Sequence, residues 1–441
     1  MNPIFRLRDA VMRRLPSGSY KRSIVMLTGG TAVGQLMLLL ASPLLSRLYS
    51  PEDFGCLAIY TSILSILVTI IALCYERATL IVEDDLSLAH LQTLCFLVMF
   101  VFVGIALIFI LAFRSSVVVW LKAPPQTQNY LLFLPLSLLG AGTYQILSYA
   151  AMRRKNFGVL AKTRLQQSAG QVGVQSLFGF LHAGPLGLIL GDVCGRSGGG
   201  FLIAKQEYRT YRSLNAKISW HGIYNVAVRY KKFPLISTTS ALLNSLGITL
   251  PVLLLSASYG VQIAGWYSLG QRIIGLPMLM MGNAVSQVFV GEAARLRRES
   301  PGDLLPLFLR TLRKLMFVGF FPIVTIGLAS PALFPFVFGS QWKTAGQYTQ
   351  WLALMFFLQF IANPLGGTLD VLERQDLHFW REVIRIALLS GVLLFAKMMG
   401  FGSSQAICLL ALAGMASYGF YIYISWYALQ SERASLDANV A

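Results

Sequence analysis

Arg272, Asp192 and Arg196 sit inside long runs of apolar residues, where a charged side chain needs a chemical explanation. A charge near mid-bilayer costs a few kcal/mol unless water, a partner or a ligand receives it. Asp192 and Arg196 are four apart, the spacing at which side chains meet on one helical face, so they read as an ion pair or as groups that couple transport. Arg272 and Arg164, with Arg47 and Arg77 at run ends, could offer guanidinium forks to an anionic headgroup in a central cavity. Glu76 and Asp192 are the acids closest to the apolar runs. Gln35, Gln171, Asn244, Gln271 and Asn283 extend polar stripes at helical spacing, which either face water or glue helices together.

These residue types do not assemble a catalyst. Cys56, Cys74, Cys95, Cys194 and Cys408 lie in apolar runs without paired spacing, so they read as small core residues. His90, His182, His221 and His378 lack the spacing that places two ligands on one helical face, so no metal site is expected. Gly195-Arg-Ser-Gly-Gly-Gly200 has neither the lysine nor the preceding strand of a phosphate loop, and no nucleotide or other cofactor is expected. The loops opposite the basic ones are short, which disfavours a glycan polymerase or ligase and favours a carrier over an enzyme.

What must position these side chains is a set of membrane helices. The chain is 56% hydrophobic and 12% charged, outside the soluble class. At roughly 20 apolar residues per crossing, runs at 24–45, 54–75, 89–112, 129–151, 157–181, 183–204, 233–256, 261–290, 314–330, 346–369, 382–400 and 404–428 predict about twelve helices. Thirty-six Lys and Arg against 18 Asp and Glu give a net charge of +18. The basic residues crowd into every second loop instead of forming a stripe on a soluble face, so they predict topology and argue against nucleic acid as a partner. Arg6, Arg8, Arg13, Arg14, Lys21 and Arg22 precede the first run, which reads as an uncleaved signal anchor, and both termini are expected in the cytoplasm.

The longest basic stretch divides six runs from six. The expected organisation is a basic N-terminus over 1–23, a six-helix bundle over 24–204, a cytoplasmic linker over 205–232, a second bundle over 233–428 and a cytoplasmic tail over 429–441. A shift of 210 residues places Leu36, Leu40, Ser46, Tyr49 and Gly55 on Leu246, Leu250, Ser256, Tyr259 and Gly265. The repeated Tyr-x5-Gly spacing at matching turns supports a duplicated unit, as transporters commonly have. In the sixth run Gly187, Gly191, Gly195 and Gly199 recur every fourth residue, a face flat enough for close helix packing.

Several short motifs then resemble one known family. Gly30-Thr31, Gln35 and Pro43-Leu-Leu-Ser-Arg-Leu-Tyr-Ser-Pro-Glu-Asp-Phe-Gly55 are similar to the opening of the O-antigen and exopolysaccharide flippases (Wzx). Tyr75-Glu-Arg-Ala78, Arg229-Tyr-Lys-Lys-Phe-Pro234, Phe336-Val-Phe-Gly339 with Trp342, and Leu372-Glu-Arg-Gln375 resemble later landmarks of that family in the expected order. The resemblance implies the multidrug/oligosaccharidyl-lipid/polysaccharide exporter fold, an all-α integral membrane protein with two pseudo-symmetric six-helix bundles around a central cavity. It further implies an undecaprenyl-pyrophosphate-linked oligosaccharide as cargo, moved across the bacterial inner membrane among membrane lipids by alternating access. A polymerase and a chain-length regulator of the same pathway would be partners, and the coupling ion, proton or sodium, is left open. A cation-coupled multidrug antiporter is the second expectation.

Overall fold

A computed structural model describes residues 19–200, 203–205 and 218–440. Segment 1–18, with most of the basic N-terminus, and residues 206–217 of the linker lie outside the described residues. Each of the twelve apolar runs falls on a helix. These are α1 (Ser19–Leu48), α2 (Pro51–Ile70), α3 (Asp85–Trp120), α4 (Leu134–Arg153), α5 (Phe157–Phe180) and α6 (Pro185–Ser197). The second half holds α7 (Thr238–Tyr259), α8 (Val261–Glu299), α9 (Leu304–Phe338), α10 (Lys343–Val371), α11 (Gln375–Met398) and α12 (Ser403–Val440). No strand occurs among the described residues.

Eight helical stretches are long and apolar enough to cross a bilayer by length and composition. Helices α5, α6, α8 and α11 carry charges within or at the edge of their apolar runs: Lys162 and Arg164, Asp192 and Arg196, Arg272, and Arg381, Glu382 and Arg385; α6 is also short, at 13 residues. Such helices are tolerable in a membrane when their polar faces turn inward. Helices α3 and α9 instead turn Val101, Ile108, Phe317 and Leu328 outward, as lipid-facing surfaces do. Several helices outrun their apolar stretch. Helix α8 continues to Glu299, and Arg295 bonds Glu292 at 2.5 Å and Glu299 at 3.0 Å in its final turns, pairs that support a helix beyond the apolar core.

Helices α1 to α6 pack on one another, as do α7 to α12. The glycines of α6 admit α5, for a Cβ on Gly191 or Gly195 would strike Gln175 or Gln171. Between the halves α2 crosses α8 and α7, and the crossing obeys the 210-residue repeat. A Cβ on Gly55 would lie 2.0 Å from the Val261 carbonyl oxygen, and one on Gly265 would lie 1.9 Å from that of Pro51. Residues 51 and 55 are the repeat equivalents of 261 and 265, so the two contacts exchange places under the pseudo-two-fold. The serines do the same. Ser46 Oγ in α1 donates to the Phe338 carbonyl at the end of α9 (3.2 Å), while Ser256 Oγ in α7 donates to the Leu121 carbonyl at the end of α3 (2.6 Å).

Further bonds seal this end. Trp342, fully buried, donates from Nε1 to the Ser46 carbonyl (2.9 Å) and meets the Phe54 ring edge-on at 5.0 Å. Ser50 caps α2 through a capping box, accepting from Asp53 N (3.1 Å) while the Asp53 carboxylate accepts from Ser50 N (2.8 Å), and Pro51 fills the first helical position. The turn Tyr-Ser-Pro-Glu-Asp-Phe-Gly is thus a helix start that delivers Phe54 and Gly55 to the crossing.

Candidate functional site: the cavity between the bundles

Below the sealed end lies a cavity of about 860 Å³ lined from both bundles, by α1, α2, α4, α5, α6, α7, α8 and α10. Its wall holds Arg164, Arg196 and Arg272, and its one lining acid among the described residues is Asp192. The surplus of positive charge suits an anion with more than one negative charge, since a guanidinium presents several donors in a fixed fork. Gln35, Gln145, Gln167, Gln171, Gln271 and Gln359 complete the wall with Thr31, Thr61, Ser62, Ser65, Ser148, Ser168 and Ser268. Amide and hydroxyl groups of this density can exchange hydrogen bonds with a polyhydroxylated molecule.

Arg272 spans the bundles. Its Nη2 donates to the Leu38 carbonyl of α1 at 3.1 Å, and the same carbonyl accepts from Ser42 Oγ at 2.9 Å. Pro43 lies just beyond, inside α1, and cannot donate the helical hydrogen bond that the Leu39 carbonyl would otherwise accept. Asp192 and Arg196 form the expected pair at 2.7 Å, with Asp192 buried and Arg196 turned partly to the cavity. Arg164 Cζ stands 4.9 Å over the Tyr144 ring, a cation–π contact that fixes the stem and leaves donors free to turn inward. Tyr60 and Ser137 share a 2.7 Å hydrogen bond behind the α2 and α4 walls.

The predicted residues separate by position. Gln35, Arg164, Gln171, Asp192, Arg196, Gln271 and Arg272 line the cavity. Arg47, Arg77, Asn244 and Asn283 stand outside that lining. Arg47 lies at the sealed end, where α1 stops, and its Nη2 reaches the Phe336 and Val337 carbonyls at 3.4 Å each, so it joins bundles instead of facing the cavity. Arg77 is exposed on the short helix Tyr75–Ala78 after α2 and reaches Tyr149 of α4, a cavity-lining residue, so it stands beside the wall and not in it. Glu76, on the opposite side of that turn, is buried and accepts from Gln145 Nε2 at 2.9 Å, one residue behind the wall. Asn283 is exposed on α8, two turns past the last lining residue of that helix, Gly275. Asn244 accepts from Arg385 Nη2 through its carbonyl (3.2 Å) and its Oδ1 (3.3 Å), inside the second bundle.

That last contact belongs to a cluster absent from the sequence analysis. Arg381, Glu382 and Arg385 are all buried on α11, Glu382 pairs with both arginines, and Arg381 stacks 3.8 Å over the Tyr421 ring. Gly247 makes room for Arg385, whose guanidinium occupies the place of a Cβ. The charges fall just where the eleventh apolar run begins, and its boundary at 382 divides the cluster. Gln145, Gln167 and Gln359, which also line the cavity, escaped the sequence analysis as well.

The motif residues that carry the family resemblance do not line the cavity for the most part. Ser46, Tyr49, Ser50, Asp53, Phe338 and Trp342 build the sealed crossing, and Tyr75 donates to the Ala227 carbonyl at the other end (3.2 Å). A family profile described as "Polysaccharide biosynthesis protein" matches residues 44–347, more than half of the chain and the stretch that holds these contacts. The chain belongs to that family. A relative in Bacillus subtilis (strain 168), the teichuronic acid biosynthesis protein TuaB, is 25% identical over 340 residues, which cover 76% of this chain and 66% of that protein's length. Among solved structures the chain resembles a multidrug resistance MATE family transporter of the MOP superfamily in its inward-facing conformation (TM-score 0.72, 12% identity, 93% of this chain and 99% of that one). It also resembles the lipid II flippase MurJ in an inward closed conformation (TM-score 0.69, 12% identity, 91% and 87%). At such identities these likenesses establish the fold, an all-α membrane transporter fold of paired bundles.

Proposed function

We propose that the protein is a flippase that moves a polyprenyl-pyrophosphate-linked oligosaccharide, undecaprenyl-linked in bacteria, across the inner membrane by alternating access. The observation that carries this reading is the meeting of Arg164, Arg196 and Arg272, from both bundles, in one cavity whose remaining polar wall is amides and hydroxyls. A pyrophosphate would pair with the guanidinium forks, which gain strength where water is scarce. The glycan would exchange hydrogen bonds with the glutamine-rich wall, and the prenyl chain would leave laterally between the bundles. In this reading the basic loops and both termini face the cytoplasm, the chain crosses twelve times, and residues 24–204 and 233–428 are the rocking units. The sealed end is then periplasmic. Arg272, bound to the Leu38 carbonyl, would exchange that bond for a phosphate oxygen and loosen the junction between the halves. Asp192 and Arg196 serve either as a fixed ion pair or as the coupling group.

The test is to delete the gene, complement with wild type, Arg272→Ala or Arg164→Ala at matched expression, and determine which leaflet holds the lipid-linked intermediates. Loss of one charge-assisted hydrogen bond is worth about 1.5–3 kcal/mol, a drop in apparent affinity of roughly ten- to a hundredfold. Full repeat units should therefore accumulate on the inner leaflet in the deletion and in both variants. Normal surface glycan in the deletion would leave the drug antiporter as the better reading, and single units flipped without polymerisation would point to a polymerase or ligase.

A further inference from the structure

The helix Trp220–Arg229, between the two bundles, has three distinct faces. At 100° per residue, Ile223, Val226 and Tyr230 share one side, and all three are buried, the helix lying against α3. Trp220, Tyr224 and Val228 form a second stripe about a third of a turn away, and they are 76%, 67% and 46% exposed. His221, Asn225, Arg229 and Lys232 make the third, on the far side of the second, and Lys231, exposed just past the helix end, falls in line with the second. Leu235 and Ile236, 70% and 55% exposed, prolong the apolar stripe into the chain that starts α7. No acidic residue occurs from 218 to 240.

This order of faces, protein, then aromatic and aliphatic, then basic, is that of a helix lying in the plane of a bilayer surface. Tryptophan and tyrosine favour the headgroup level, and cations beside them favour anionic lipid. The place agrees, because the helix precedes the Phe233–Ser237 turn that enters α7 and lies beside the first turns of α3. We propose that this helix is a docking surface for the anionic headgroups of the adjacent leaflet.

Its bonds to the first bundle make the docking consequential. His90 Nε2 of α3 accepts from Ser219 N at 3.2 Å, and Tyr75 Oη donates to the Ala227 carbonyl at 3.2 Å. The same ten-residue helix is therefore fastened to the first bundle, feeds the second, and rests on lipid. Leaflet charge holds the segment that any relative movement of the halves must pull. The inference is independent of the cargo.

Amide hydrogen exchange of the full-length protein tests it, in vesicles of phosphatidylcholine alone and of phosphatidylcholine with phosphatidylglycerol. Each cation near an anionic surface contributes roughly a fivefold gain, so exchange over residues 219–232 should slow by about tenfold or more in the anionic vesicles. The dependence should vanish in Arg229→Gln/Lys231→Gln/Lys232→Gln, whose packing of Ile223 and Val226 on α3 is untouched. Trp220→Ser/Tyr224→Ser should speed exchange in both compositions. Equal protection in the two lipids would overturn the proposal, since packing on α3 alone would then hold the helix. Lipid-dependent protection that survives the triple substitution would overturn it too. So would protection that appears in detergent only when soluble acidic proteins are added, which would assign the surface to a protein partner.

Discussion

Alanine at Gly265 should force the sealed end of the protein apart. Its Cβ would lie 1.9 Å from the Pro51 carbonyl oxygen and 2.9 Å from the carbonyl carbon, and at Gly55 the matching distances to Val261 are 2.0 and 2.8 Å. A carbon approaches a carbonyl oxygen to about 3.3 Å, so the two backbones must part by more than about 1 Å. The obstructing atoms are main chain in the first turn of each helix and have no rotamer to adopt. Overpacking of this kind costs about 1–3 kcal/mol, which moves the equilibrium between sealed and separated ends by roughly 5- to 150-fold. In the separated state the clash is absent and alanine favours the helix over glycine by about 1 kcal/mol, so the protein should open without unfolding. Spin labels on Val119→Cys and Phe336→Cys, at positions 77% and 81% exposed on α3 and α9, report the distance between bundles. The background should lack Cys194 and Cys408, the cysteines that are not buried. Gly265→Ala and Gly55→Ala should each add a longer distance. The double variant should add less than the sum, because both clashes relax in one separation. Gly170→Ala, with no atom near its Cβ, is the control. A single unchanged short distance in both variants would refute the reasoning.

Three further outcomes follow from named contacts. Ser256→Ala should loosen the same end by about 1 kcal/mol, and more than Ser46→Ala does, because the Ser256 bond is 2.6 Å whereas Ser46 shares its 3.2 Å bond with the Pro43 carbonyl; the spin-label distances read both. Glu382→Gln removes the partner of two buried arginines, so thermal unfolding in detergent should show a loss of about 3–5 kcal/mol, largely regained in Arg381→Met/Glu382→Leu/Arg385→Met. Asp84 caps α3, and the Ser87 N–H donated to it (2.7 Å) holds its carboxyl below the ordinary carboxylate range. Asp84→Ala should cost about 1 kcal/mol at neutral pH. Since the folded value is the lower one, that stabilisation is complete above about pH 4 and fades as pH falls further, so the variant and wild type should converge in acid.

The helices were legible because lipid imposes a length and an apolar composition that few other pressures produce, and the repeat because the tight turns at Tyr49 and Tyr259 tolerate little variation. Charges well inside an apolar run announced themselves, and Arg272, Arg164 and the Asp192–Arg196 pair do line the cavity. Arg47 shows what run boundaries conceal: at a helix end, the direction of a side chain depends on the turn that follows, which periodicity does not encode. Asn244 sits on a polar stripe, yet that stripe faces α11 and not the cavity, and only the packing of α7 against α11 decides between them. Arg381, Glu382 and Arg385 escaped for the converse reason. At the mouth of an apolar run three charges look like solvated flank, and their burial depends on Tyr421 and Gly247, which are distant in the chain.

The charges that four helices carry within or beside their apolar runs bear on how the chain enters the membrane during synthesis. A charged residue at a helix centre opposes insertion by about 2.5–3.5 kcal/mol, so α5, α6, α8 and α11 are poor candidates to partition alone. Three of them follow an apolar helix across a very short turn: α5 after α4, α8 after α7 across Gly260, and α11 after α10. Each such pair is joined closely enough to enter together, the apolar member supplying the affinity for lipid; α8 packs on α7, whereas α5 finds its partners in α1 and α6, and α11 in α7 and α12. Helix α6 is joined to this scheme through α5, whose Gln175 Nε2 donates to the Leu188 carbonyl at 3.0 Å. The cost of a polar cavity is thereby carried by the preceding segment of the chain, and a polar substitution on the lipid-facing side of α4, α7 or α10 endangers the insertion of the helix after it.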